Sequence, residues 1–228
     1  MRRRFIILFV ALLFSFATGT SSAGIVIGGT RVIFPGNKAD TTLSVLNKDT
    51  ALPYLLQAWV EPFNNADKHQ PPFTVIPPVS RLEPGQERVL RIIKTQGELP
   101  SDRESVFWLN IKNIPPSASN KATNSLEIAV KTRIKLFWRP ANIRLIPEDA
   151  APKVKWRREG RNLIAENPNP IHISVMDVIV DGHDVPLNMI RPFETLTLPL
   201  PANSAGGQMT WRFINDYGAV SDPIKMTL

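Results

Sequence analysis

Apolar and polar residues alternate over short runs along most of the chain, and clusters of Pro, Gly, Asn and Asp separate the runs. In the first part the runs fall at 31–34, 41–46, 54–60, 73–76, 88–93, 106–111 and 126–137. Between them stand Pro35-Gly36-Asn37, Asn64-Asn65-Ala66-Asp67, Pro77-Pro78, Glu83-Pro84-Gly85 and Ile114-Pro115-Pro116, residues that preset φ or bond to their own backbone. About seven strands with a turn every 8 to 12 residues predict an immunoglobulin-like sandwich over 24–140. Pro140 ends the last long run, because proline removes a ladder donor and restricts the residue before it. Beyond it, runs at 154–156, 162–166, 172–180, 195–198 and 208–214 predict a second, smaller sandwich over 141–228. The fold class is therefore all-β, with two sandwich domains.

The run at 126–137 is twelve residues long, about twice an ordinary strand. Its even positions carry Leu126, Ile128, Val130, Thr132, Ile134 and Leu136, and its odd ones Glu127, Lys131, Arg133 and Lys135. Two readings fit. The apolar face packs on its own core as in any half-buried strand, or part of it points outward from an edge able to complete another protein's sheet. Lys131, Arg133 and Lys135 guard the strand against aggregation on either reading.

Composition sharpens the picture. Pro supplies 21 of 228 residues, well above ordinary usage, which argues against long helices. There is no Cys, so disulfide scaffolds, thiolate metal sites and thiol nucleophiles are excluded. Residues 1–23 open with Arg2-Arg3-Arg4, continue through an apolar run too short to span a bilayer, and end in Ser21-Ser22-Ala23. That is the build of a secretory signal peptide. Its removal takes three Arg away and lowers the formal charge from +7 to +4, which weakens any case for a nucleic-acid partner.

Enzyme motifs are missing: no Gly-x-Ser-x-Gly, no His-Glu-x-x-His and no phosphate-binding glycine loop occurs. Of the three histidines only His183 has acidic neighbours, in Asp181-Gly182-His183-Asp184, and Asp-Gly between two strands predicts a hairpin before a metal site. A rival reading is a secreted adhesion or carbohydrate-binding module with Trp as its platform. Trp59, Trp108, Trp138, Trp156 and Trp211 all lie inside apolar strand patterns, which places them in the core instead.

Four separated segments carry a resemblance that spans almost the whole mature chain. They are Gly28-Gly29-Thr30-Arg31-Val32-Ile33-Phe34, Asp102-Arg103-Glu104-Ser105-Val106-Phe107-Trp108-Leu109-Asn110 with Ile114-Pro115-Pro116, Arg133-Ile134-Lys135-Leu136-Phe137-Trp138-Arg139-Pro140, and Ile214-Asn215-Asp216-Tyr217-Gly218-Ala219. Together they resemble the periplasmic pilus-assembly chaperones, the PapD-like family. The resemblance implies a boomerang of two immunoglobulin-like domains, and a non-enzymatic periplasmic chaperone without cofactor or metal. Its partners would be fimbrial (pilin) subunits lacking their final strand and an outer-membrane usher. It assigns Leu126, Ile128 and Val130 to a lent strand, and Arg31 and Lys135 to a pair of cations holding the subunit's terminal carboxylate. Glu104, Arg139 and Asp216 become an ionic triad between the domains. The nine residues at 117–125 resemble the short-loop subgroup, which assembles rod-like pili. Trp138 stands where the family commonly has Tyr, and Asn167-Pro168-Asn169-Pro170 replaces a usual Asn-Pro-Thr. A second copy of the chain is a further candidate partner, since a homodimer would cap the open edge of the free protein.

Overall fold

The computed structural model describes residues 24–64, 70–116, 127–202, 204 and 206–228. The proposed signal peptide, the loop at 117–125 and Leu126 lie outside these residues.

Nine strands build the first sandwich: β1 Ile25–Ile27, β2 Arg31–Pro35, β3 Asp40–Asn47, β4 Tyr54–Pro62, β5 Phe73–Ile76, β6 Val79–Leu82, β7 Glu87–Lys94, β8 Ser105–Ile114 and β9 Val130–Arg139. One sheet runs β1-β3-β7-β5 and the other β2-β9-β8-β4-β6. Their inner faces meet in a core that includes Phe34, Leu56, Leu90, Ile92, Leu109, Ile111 and Leu136. Alternation accounts for most of this, since along β7 Leu90 and Ile92 turn inward while Val89 and Arg91 face water.

After Pro140 a single helical turn, α1 Pro147–Ala150, leads into the second sandwich. Its strands are β10 Lys155–Glu159, β11 Asn162–Glu166, β12 Ile173–Val180, β13 His183–Asp184, β14 Met189–Ile190, β15 Thr195–Pro199, β16 Gln208–Ile214 and β17 Ile224–Thr227. They form a sheet β10-β11-β15 and a second sheet β13-β12-β16-β17, with β14 also on β12. A separate core gathers Trp156, Leu163, Ile173, Val178, Trp211 and Phe213.

The structure corrects several sequence expectations. The long strand begins at Val130 rather than Leu126 and continues to Arg139. Its partner stops at Ile114, where Pro115 and Pro116 offer no N–H to extend the ladder, so pairing ends at Asn113 with Val130. β1 and β6 were not anticipated: β1 is three residues long, and β6 follows Pro77-Pro78, where the chain crosses from one sheet to the other. Asp181-Gly182 does turn a hairpin, both residues at positive φ, and the Asp181 carboxylate accepts the Gly207 and Gln208 N–H groups at 2.9 Å.

Trp59 and Trp108 also depart from expectation. Each is half-buried on the outer face of its sheet, because register sets Trp59 opposite Asn110 and Trp108 opposite Lys135. Trp138, Trp156 and Trp211 are core residues.

Candidate functional site

The apolar face of β9 divides along its length. Ile134 is 7% exposed and Leu136 0%, whereas Val130 is 48% exposed and Ile128, two residues before the paired region begins, is 63% exposed. The division follows from strand pairing. β8 covers one edge of β9 from Val130 to Trp138, but β2 covers the other only from Lys135 onward, where it runs parallel with Arg31 opposite Lys135. From Val130 to Ile134 that second edge carries no strand among the described residues. Open backbone groups beside exposed aliphatic side chains make a template for another strand.

The open edge ends at two cations. Arg31 and Lys135 share a register position on neighbouring strands, so their side chains leave the same face. Burial, followed by repulsion from Arg31, pushes the Lys135 ammonium down to about 8. Burial lowers the Arg31 pKa too, against the opposing pull of Asp216 and Glu104. Only one of the Arg31 N–H groups has a described acceptor, Nη1 donating to the Ile214 carbonyl at 3.3 Å, and its buried Nε has none. Lys135 makes no ion pair among the described residues. Two desolvated cations side by side repel each other and attract an anion, and a carboxylate matches both in charge and in hydrogen-bonding geometry.

Behind them the structure brings Glu104, Arg139 and Asp216 into contact. Arg139 donates through Nε to Glu104 Oε1 at 2.9 Å and through both terminal nitrogens to Asp216 at 2.7 and 2.9 Å. Burial opposes the Arg139 charge, but the Asp216 hydrogen bonds and the field of both carboxylates outweigh it and raise the pKa. His172, which sequence reasoning did not single out, joins this cluster: its backbone N–H and its ring Nδ1 both lie 2.9 Å from Glu104 Oε2. Its ring also sits 5.5 Å from that of Phe137. Glu104 and Arg139 come from the first sandwich, His172 and Asp216 from the second, so the cluster spans the interface. Backbone adds to it, the Glu104 N–H donating to the Pro170 carbonyl at 2.8 Å.

The outer face of the first sandwich carries a further pattern. Lys131 lies 4.8 Å from the Trp59 ring centre and Arg133 5.2 Å from that of Trp108. Glu61 takes the Trp59 indole N–H at 2.8 Å and an Arg133 N–H at 2.6 Å. The indole bond first, then Arg133 and Lys131, bring its pKa down to about 2. Cations that sequence alone reads as gatekeepers are thus also clamped onto tryptophans.

Residues 24–144 match the family described as "Pili and flagellar-assembly chaperone, PapD N-terminal domain", and residues 149–225 match "Pili assembly chaperone PapD, C-terminal domain". The chain belongs to the PapD family of pilus-assembly chaperones. Chaperone protein FimC of Escherichia coli K12 is 39% identical over 97% of this chain and 90% of its own length. Among solved structures, a chain of the Salmonella enterica SafA pilin–SafB chaperone complex superposes with a TM-score of 0.82 at 35% identity, covering 92% of this chain and 99% of that one. The periplasmic chaperone SfaE gives 0.74 at 34% identity, over 89% and 98%. Fimbrial chaperones of this family are periplasmic, and the family is one of chaperones and not of enzymes.

Proposed function

We propose that this chaperone binds fimbrial subunits by lending them the Leu126–Leu136 segment as a missing strand, and passes them to an outer-membrane usher. Residues 1–23 export it to the periplasm, the domains divide at Pro140, and the short connection at 117–125 sets it in the short-loop subgroup. The observation that carries the reading is the split face of β9: aliphatic side chains that serve no core of their own, on an open edge that stops at two cations.

A subunit short of one strand exposes apolar pockets and unpaired backbone groups, which favours self-association. Ile128 and Val130, with Leu126, would fill such pockets, each burial stabilising by about 1.5 to 3 kcal/mol before ordering costs. Arg31 and Lys135 would receive the subunit's terminal carboxylate. Since they stand at the Lys135 end of the open edge, the incoming strand runs parallel to β9, as β2 does. Charge-assisted bonds worth about 1.5 to 3 kcal/mol each would fix the register that strand pairing alone leaves loose.

The test is periplasmic co-expression with fimbrial subunits of the same source, for wild type, Lys135→Ala, Arg31→Ala and a variant with Ser at Leu126, Ile128 and Val130. Wild type should yield a soluble one-to-one complex that the folded variants lose. Retention of full binding by the variants would show that the interaction surface lies elsewhere.

A further inference from the structure

Tyr217 is 91% exposed, the most solvent-open large side chain among the exposed hydrophobic residues of the described chain. It sits at the tip of the turn between β16 and β17, a position where Gly, Asn or Asp serves folding equally well. Yet the turn is built to hold it still. Asn215 Oδ1 accepts the N–H groups of Tyr217 and Ala219 at 3.0 and 2.9 Å, and the backbone closes with Asn215 N–H to Ala219 at 2.9 Å and Gly218 N–H to Asn215 at 3.0 Å. Asp216 is tied down by its paired bonds to Arg139. Gly218 has a φ of 86° and rests against Thr30, whose Oγ1 a Cβ there would strike. A rigid frame that presents a bare aromatic ring has no purpose within the chain itself.

The contact of Gly218 with Thr30 places this turn next to the end of the open edge. Thr30 immediately precedes Arg31, and Arg31 marks the point at which β2 takes over the edge of β9. A strand added along Val130 to Ile134 therefore ends against Thr30 and Arg31, beside this turn. Asp216 and Tyr217 line a crevice of about 350 Å3 with Arg31, Ile33 and Thr41 to Leu43, between β2 and β3, and Arg31 is the residue it shares with the end of that open edge. We propose that Tyr217 is a further binding residue, its ring packing over the last two residues of the bound subunit while Arg31 and Lys135 hold their carboxylate. This rests on the strand-donation reading above. A pre-positioned tyrosine binds at little cost in conformational entropy, and tyrosine is a common interface anchor.

The test follows dissociation of the purified complex between the full chaperone and a fimbrial subunit of the same source, with excess unlabelled chaperone capturing released subunit. Tyr217→Ala should speed release about tenfold, while Tyr217→Phe stays within about twofold, since the ring makes the contact. Thermal melting of the free Tyr217→Ala protein should match wild type, as the side chain packs on no core. With a subunit whose last two residues are replaced by Gly, at unchanged length, the Tyr217→Ala effect should shrink to less than about twofold. Unchanged release from Tyr217→Ala, in an assay where Lys135→Ala and Val130→Ser speed it, overturns the role of Tyr217 and leaves strand donation standing. A Tyr217→Ala effect undiminished by the Gly replacements overturns it as well, by locating the contact elsewhere. If Lys135→Ala and Val130→Ser also leave release unchanged, strand donation itself fails.

Discussion

Lys135 shows how a single residue of the site bears a cost to the free protein. Its pKa falls from 10.5 to about 8 on folding, so between those values the unfolded chain holds more protons than the native one. Stability of the free chaperone therefore rises as pH climbs from about 8 to 10.5, and the full penalty is present below 8. Lys135→Met should melt higher than wild type at pH 7 and lose that rise, which thermal melts across pH 7 to 10 would show. Binding runs the opposite way, because a bound carboxylate restores the charge. Affinity for subunit should drop above pH 8, approaching tenfold per unit, and Lys135→Met should flatten the profile. Sequence offered no sign of the depressed pKa, since burial and the closeness of Arg31 both depend on strands far apart in the chain. His172 was hidden for the same reason: it becomes part of the charged cluster only because the second sandwich delivers it to Glu104.

At the scale of the element, β9 is two strands in one. Its C-terminal half, with Ile134 and Leu136, belongs to the core, and the residues before it belong to no core of this chain. Leu136→Ala should cost about 2 to 5 kcal/mol in chemical denaturation, whereas Ile128→Ala should change stability by less than about 0.5 kcal/mol yet weaken the complex. Equal stability losses at the two positions would mean that the exposed half packs against this chain after all. The alternation of apolar and charged residues was visible along the whole run. Its division was not, because the pattern is identical on both sides of the point where β2 begins to cover the edge.

The two sandwiches are joined by more than a linker. Arg139 reaches Asp216 in one domain and Glu104 in the other, and His172 closes on Glu104 from the far side. Arg139→Ala leaves Glu104, almost wholly buried, without its cation. Loss of one member of a buried pair costs about 3 to 5 kcal/mol, and here the loss should also free the domains. We expect calorimetry to resolve separate domain transitions in Arg139→Ala and small-angle scattering to show a broader range of shapes. A single sharp transition with unchanged scattering would mean that the backbone bond from Glu104 to Pro170 and the packing of Phe137 on His172 hold the interface without the arginine.

The sequence by itself determined the strands with clear period-two alternation, the turns made by Pro, Gly and Asn-Asp clusters, and the division into two β-rich halves, because each depends on neighbours a few residues away. It also carried the four segments that resemble the pilus-assembly chaperones. The resemblance grouped Arg31 with Lys135, and Glu104 with Arg139 and Asp216, but tertiary structure alone decided which half of β9 is exposed, how those groups are held, and that His172 joins the second of them. It also turned Trp59 and Trp108 outward onto Lys131 and Arg133, where apolar patterning had put them in the core. The physical reason is common to all of these: which edge a strand leaves open, and which charges share a desolvated space, follow from pairing between segments as many as 183 residues apart, such as Arg31 and Ile214.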